Sequence, residues 1–509
     1  MMSVTYYLEE LLRFGQARGL LDEADVVFAR NQLLDILGLD APGEEKPSGP
    51  LPETATSILK PLVDDAVARG LVGDTQTERE LYDTRLMGAL LPRPSQIRRQ
   101  FFDLRDTEGI QAATDWFYGL CRAGNYIRVD QIARNIAWQH ESPYGELTIT
   151  INLSKPEKDP KEIAKLKNAP ASGYPACMLC QENEGYAGRL NFPARQSLRI
   201  IPVALGGEQW YFQYSPYVYY PEHCIVFKGE HVPMKVCRAS FNRLLDFSDQ
   251  FPHYFIGSNA GLPVVGGSIL NHDHFQGGRF ELPMARAREK FSFTLGDYPD
   301  IHGAVLDWPM TVMRLSTADR NRLLDAADHL HEAWWRYSDP DRDILAQDPD
   351  GTPHNTFTPI LRRRGAIYEM DLVLRNNVTS EQYPLGLYHP HPQLHHIKKE
   401  NIGLIEVMGL FILPGRLEKE LEAVARIWAG LEAMPSDIES ADHPLNKHLP
   451  WMRTLMERPA PALEQARAQI RREVGDICVQ VLKDCAVFKE DDDGQQGLRD
   501  YLAACGAAF

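Results

Sequence analysis

Apolar residues in the early part of the chain return at three- and four-residue intervals. Leu8, Leu11, Leu12 and Phe14, then Val26, Val27, Leu33, Leu34 and Ile36, carry this helical period. The spacing predicts a helical region from Tyr6 to about Trp138, interrupted by a loop over the Pro-, Gly- and Glu-rich stretch from Asp40 to Pro52. After Gly145 the run Leu147 to Leu153 is rich in β-branched residues and predicts a strand. Further strands are predicted at Leu198 to Val203, Trp210 to Gln213, Tyr217 to Tyr220, Cys224 to Phe227, His253 to Gly257 and Ser268 to Phe280, with an amphipathic helix from Pro233 to Phe251. A third region follows from about Asp300. It carries a helical stretch from Thr317 to Trp335, strands at Phe357 to Leu361 and Tyr368 to Arg375, and a polar cluster from Tyr388 to His396. Helices from about Asn401 and over Ala462 to Phe488 complete it. Strands and helices do not alternate regularly, so the fold class is α+β with mainly antiparallel sheets. The predicted division is a helical region over 1–140, a catalytic region over 141–298 and a C-terminal region over 299–509 that loosely echoes the second.

Composition narrows the class. At 509 residues the chain is too long for one ordinary core. Hydrophobic content of 44% and charged content of 24% are ordinary globular values. A formal charge of −16 argues against nucleic acid or an anionic membrane as main partner, and requires that any anionic ligand meet locally gathered cations. The first ten residues lack a basic start followed by an apolar core, and the apolar run Ile402 to Pro414 is too short to span a bilayer, so a cytoplasmic protein is expected. Of the eight cysteines, Cys177 and Cys180 stand close enough to be a ligand pair. The alternative is two unligated buried thiols.

Chemistry concentrates at Asn271-His272-Asp273-His274-Phe275-Gln276-Gly277-Gly278. On a strand, His272, His274 and Gln276 share one face while Asp273 and Phe275 take the other. Gly266 and Gly267 before it and Gly277 and Gly278 after it let a ligand or another backbone come close. This is a setting for a nucleophilic or a metal-bound histidine.

Tyr217 to Val232 places His223 and His231 at the ends of a short apolar strand, and a helix then leads to the glycine-flanked His-x-His-x-Gln. In this order the chain resembles the histidine-triad superfamily. The upstream Cys-x-x-Cys and Gln276 in place of a third His resemble its uridylyltransferase branch, whereas hydrolases of the superfamily usually end the motif with His. Gly386 to Gly409, Ile149 to Pro160 and Asn125 to Arg128 resemble the second, longer class of galactose-1-phosphate uridylyltransferases, so the likeness spans nearly the whole chain. It implies two histidine-triad-like, mainly antiparallel modules with flanking helices, plus the N-terminal helical region.

The resemblance implies transfer of UMP from UDP-glucose to galactose 1-phosphate, giving glucose 1-phosphate and UDP-galactose, in ping-pong fashion through a uridylyl-histidine. A neutral imidazole suits this because it is both nucleophile and leaving group. The nucleophile's position falls on His274, with Gln276 as donor to phosphoryl oxygens and His272 as a positioning residue or zinc ligand. A related phosphorylase or hydrolase is the alternative reading. Asn259 and Ser268 become phosphate contacts, with turn residues as the alternative. Lys155, Arg279, Lys398 and Lys399 are the cations for phosphate, although any one of them also fits a surface role. Glu406 either recognises hexose hydroxyls or is a helix carboxylate satisfied by its neighbours.

By resemblance to the shorter class, a structural zinc uses Cys177, Cys180, His231 and His272, and a second metal site uses Glu289, His354, His389 and His391. No organic cofactor is implied. The shorter class also implies a homodimer. One departure from that class is Asp273 between the motif histidines, where the shorter class has Pro.

Overall fold

The computed structural model describes residues 2–154, 172–267 and 269–509. It divides into two compact units: Met1–Arg134 with Ser154–Val232, and Asn135–Leu153 with Pro233–Phe509.

In the first unit the early helical period is realised. Helix Val4–Ala17 begins where the Ser3 hydroxyl accepts from the Tyr6 N–H at 3.1 Å, and it buries Leu8, Leu11, Leu12 and Phe14. It packs against helix Thr56–Ala68. Helix Gln76–Gly88 starts with a reciprocal cap in which Thr75 and Glu78 satisfy each other's backbone N–H groups. Helices Pro94–Glu108 and Ile110–Ala123 follow, and Asp83 receives both Nη groups of Arg128, at 2.7 and 2.8 Å. Three strands of this unit, Ile201–Leu205, Glu208–Tyr214 and Cys224–Lys228, pair antiparallel in that order. Gly206 and Gly207, with φ of 60° and 74°, form the two-residue turn between the first two, a turn that needs left-handed backbone at both positions. Trp210, Phe212 and Tyr214 alternate into the core, where Phe117 meets Tyr214 at 5.5 Å between ring centroids.

The strand expected over Tyr217 to Tyr220 is a series of bends. Pro216 and Pro221 supply no N–H to a ladder, and the loop closes on itself through Tyr217 N–H to the Ser215 hydroxyl at 3.3 Å and Ser215 N–H to the His223 carbonyl at 2.8 Å.

The second unit contains two sheets. Strand Ile136–Ser142 runs antiparallel to Gly145–Asn152, which pairs parallel with Leu410–Pro414. The expected helical region therefore ends short of Trp138, which lies on a strand with alternating exposure. In the larger sheet the unit's strands follow the order Ala507–Ala508, Glu289–Leu295, Tyr298–Leu306, Val312–Thr317, Ile367–Asn376, Asn355–Arg364, Phe255–Gly257, His274–Gly278. Each neighbouring pair in this run is antiparallel. Helices Arg238–Gln250 and Arg320–Arg336 pack on it. Both units mix helices with antiparallel strands, as an α+β chain should. No helix among the described residues is long and apolar enough to cross a membrane.

Candidate active site

Strand His274–Gly278 pairs with Phe255–Gly257, Gln276 opposite Gly257 and Gly278 opposite Phe255. A Cβ at Gly257 would lie 2.8 Å from the Pro359 carbonyl and 2.9 Å from Leu404, which leaves glycine as the residue that fits. The strand starts at His274, later than the expected start at Ser268. Before it the chain is a loop whose Leu270 carbonyl accepts from Met234 N–H at 2.9 Å, outside any ladder. His274 and Gln276 thus share a strand face, while His272 precedes the alternation and is itself 1% exposed.

The His272 backbone has a direct task. Its carbonyl lies 2.9 Å from His274 Nδ1. A carbonyl can only accept, so Nδ1 carries the proton and the lone pair is on Nε2. Nε2 has no hydrogen-bond partner among the described residues. Burial pushes the imidazole pKa down to about 4, against the opposing pull of the His272 carbonyl, so the ring is neutral near pH 7. A buried, neutral imidazole with a fixed tautomer is prepared for attack through Nε2. Asp273 is buried too, and it lies 3.6 Å from Arg243 Nη1 on helix Arg238–Gln250. Its charge is balanced there.

Asn259 is 4% exposed, and its Oδ1 accepts the Leu404 N–H at 2.8 Å, which ties it to the start of helix Leu404–Val407. Lys398 and Glu406 form a buried ion pair, and the second oxygen of Glu406 accepts from Gly403 N–H at 3.0 Å. Burial lowers the Lys398 pKa, but the Glu406 charge and hydrogen bond outweigh it and the net shift is upward. Lys399 is exposed. Arg279 is half-buried and lines a cavity of about 270 Å³ with Arg362, Arg363, Arg364 and Glu281. Lys155 and Ser268 lie outside the described residues.

One residue escaped the sequence reading. Arg375 is 2% exposed, donates from Nη2 to the Ile402 carbonyl at 3.0 Å, and so holds the backbone between Lys398 and Glu406. The available signal was a lone arginine ending the apolar run Leu372-Val373-Leu374.

In the first unit Cys177 and Cys180 bring their sulfurs to 3.5 Å, and His231 Nδ1 lies 3.1 Å from Cys180 Sγ. These atoms are close enough to serve one ion, and two thiolates with an imidazole are a zinc donor set. Burial, and then the neighbouring Cys177 thiol, push the Cys180 thiol up to about 12, so a thiolate here calls for a compensating cation. The three residues are a candidate metal-binding cluster. The second set, Glu289, His354, His389 and His391, is not brought together. Glu289 faces His302 across the neighbouring strand at 2.8 Å, and His354 bonds Asn377 at 2.7 Å. His389 meets Asn401 at 3.3 Å, and His391 meets the Leu387 carbonyl at 3.1 Å. Each imidazole is committed to a local partner, so this expectation is corrected.

A glycine-flanked strand that presents one neutral imidazole, its other nitrogen pinned by backbone, has the chemistry that covalent histidine catalysis requires. Residues 20–233 match the family model described as galactose-1-phosphate uridyl transferase, N-terminal domain, and residues 247–439 match the corresponding C-terminal domain. The chain belongs to this galactose-1-phosphate uridyl transferase family. The galactose-1-phosphate uridylyltransferase of Caldanaerobacter subterraneus subsp. tengcongensis is 51% identical over 508 residues, covering 98% of each chain. The enzyme of the same name from Halalkalibacterium halodurans is 49% identical and again covers 98% of each. That of Bacillus subtilis is 47% identical, covering 99% of this chain and 98% of its own.

Proposed function

We propose that the chain is a UDP-glucose–hexose-1-phosphate uridylyltransferase that moves UMP from UDP-glucose to galactose 1-phosphate through His274. The observation that carries this reading is the His274 Nδ1 to His272 carbonyl bond, which leaves Nε2 with its lone pair. Nε2 attacks the α-phosphorus of UDP-glucose. The bond from that phosphorus to the bridging oxygen breaks, and glucose 1-phosphate leaves with the electron pair. UMP is now joined to His274 by an N–P bond, and the ring's developing positive charge is met by the His272 carbonyl. A phosphate oxygen of galactose 1-phosphate then attacks the same phosphorus, the N–P electron pair returns to Nε2, and UDP-galactose forms. The Nδ1 proton stays in place throughout.

Gln276 directs amide N–H groups at the phosphoryl oxygens and has no acid or base function with which to activate water. The proposed phosphate contacts are Asn259, Lys155, Ser268, Arg279, Lys398 and Lys399, with Glu406 toward the hexose. The Lys398–Glu406 pair is presented as a unit, so each orients the other. Zinc is the proposed ion for Cys177, Cys180 and His231, and the resemblance assigns His272 as fourth ligand. When bound it supplies a structural cross-link. A cytoplasmic homodimer is the proposed setting, and sedimentation at working concentration tests the assembly.

The direct test is isotope exchange. Labelled glucose 1-phosphate, incubated with the protein and UDP-glucose but no galactose derivative, should enter UDP-glucose. Absence of exchange with the wild-type protein would overturn the covalent route. Metal analysis of Cys177→Ser should show loss of zinc, and unchanged zinc would remove Cys177 from the set.

A further inference from the structure

Helix Arg320–Arg336 carries a second group of metal-type donors, remote in sequence from the catalytic strand. One ring nitrogen of His331 and one carboxylate oxygen from each of Asp328 and Glu332 lie within 4.8 Å of one another. Asp328 stands one helical turn before both of the others, which is why side chains at these spacings meet. His331 is 4% exposed, and both of its ring nitrogens are sealed from solvent with no hydrogen-bond partner among the described residues. Phe241 meets the ring edge-on at 5.5 Å, Phe357 lies at 5.7 Å and Trp335 at 6.1 Å. These aromatic walls offer no conventional acceptor to an imidazole N–H and no donor to the other nitrogen. Leaving a buried polar group unpaired is costly, so an unpartnered imidazole beside two carboxylates points to a ligand that joins them.

We propose that Asp328, His331 and Glu332 bind a divalent transition-metal cation of the zinc and cobalt class. One imidazole with two carboxylates suits such an ion better than magnesium or calcium, which favour oxygen donors alone. Water fills the remaining positions, and the half-exposed Glu332 provides the entry side. The ion has competitors. Arg238 Nη1 lies 3.2 Å from Asp328 and its Nη2 lies 2.6 Å from Asp325, while Arg336 pairs with Glu332. Binding therefore transfers Asp328 from Arg238 to the cation, and Asp325 keeps the guanidinium. Since Arg238 belongs to helix Arg238–Gln250, the bound ion sits where the two helices covering the sheet exchange their charged contacts. The role assigned to it is a structural one.

The test is titration of untagged full-length protein with Co²⁺ alone, read by absorption. Co²⁺ on thiolates gives an intense near-ultraviolet charge-transfer band, whereas Co²⁺ on nitrogen and oxygen gives only weak visible bands. The Cys177→Ser protein, shown folded by circular dichroism, should still bind about one equivalent with visible bands and no thiolate band. Asp328→Asn or Glu332→Gln in that background should weaken this binding at least about tenfold, and Arg238→Gln should strengthen it. If Cys177→Ser does not fold, the same substitutions are read in the otherwise wild-type chain as loss of the visible component with the charge-transfer band intact. Glu332 is half-exposed, so Glu332→Gln keeps the fold even if His331→Leu does not. Absence of a nitrogen- and oxygen-bound equivalent, or one that neither Asp328→Asn nor Glu332→Gln weakens, overturns the proposal.

Discussion

Two stretches of the second unit are dense in histidine, and they use it in opposite ways. Around strand His274–Gly278, one imidazole donates from Nδ1 to the carbonyl of its near neighbour, and its Nε2 has no hydrogen-bond partner among the described residues. Between Tyr388 and His396 the imidazoles are committed to the loop. His389 and His391 each engage partners with both nitrogens, and His395 Nε2 lies 2.8 Å from the Pro390 carbonyl. His396 places Nδ1 3.0 Å from the Gln393 carbonyl, and its Nε2 is sealed inside. The second stretch has the higher histidine density and the lower capacity for nucleophilic attack. What separates them is the fate of the lone pair, which depends on backbone geometry and solvent access rather than on residue type.

The contrast breaks most visibly at His274. His274→Ala should lower the exchange rate on the order of 10⁴-fold or more, because no other group in the strand can carry UMP. The matched His391→Gln should stay within about threefold, and a large loss there would erase the distinction between the stretches. Next comes the ion pair that follows the loop. Lys398→Met or Glu406→Gln should destabilise the fold by about 3–5 kcal/mol in urea titration, since each leaves a buried charge or its partner unmatched, whereas Lys398→Met with Glu406→Leu should recover much of that loss. Gln276→Ala should cost about 10²–10³-fold in kcat with little change in stability, as expected for a donor that acts on developing charge.

The smallest effect at neutral pH belongs to His396 and its neighbour His448, whose rings lie 5.3 Å apart. Burial, reinforced by the nearby His448, pushes His396 down to about 4 from its usual 6.5. For His448 burial also lowers the pKa, against the opposing hydrogen bond that its Nε2 makes to the Glu420 carboxylate. The unfolded chain therefore binds more protons below about pH 6.5, so stability is complete above that value and is lost as pH falls toward about 4. His396→Gln should flatten this part of the stability profile while leaving the pH 7 value nearly unchanged. An unaltered acid slope would assign the effect elsewhere.

Much of the architecture could be read before any coordinates. The period of Leu8, Leu11 and Leu12 and the strand composition of Trp210 to Gln213 are local signals, and a helix and a strand stand there. The misreadings share a cause. Strand Ile136–Ser142 reads as polar because its alternation is carried by Trp138, Gln139 and His140, and its partners come from Gly145–Asn152. The segment before His274 looked like strand by composition, but its Leu270 carbonyl was taken by Met234. At the candidate site, His274, Gln276 and the Cys177–Cys180 pair stood out by spacing. Arg375 did not, because its meaning lies in the Ile402 carbonyl it reaches across the fold.

What the chain's own pattern determined, then, is which residues are chemically capable: two histidines and a glutamine among glycines, a cysteine pair, and cations enough to meet phosphate in an acidic protein. Spacing along a backbone sets residue type and facing, since those follow from a helical or a two-residue repeat. Tertiary structure alone decided that His274 Nδ1 meets the His272 carbonyl, that Lys398 and Glu406 neutralise each other, and that Glu289, His354, His389 and His391 stay apart. Hydrogen bonding and desolvation act over a few ångströms between residues far apart in sequence, and no local period records that distance.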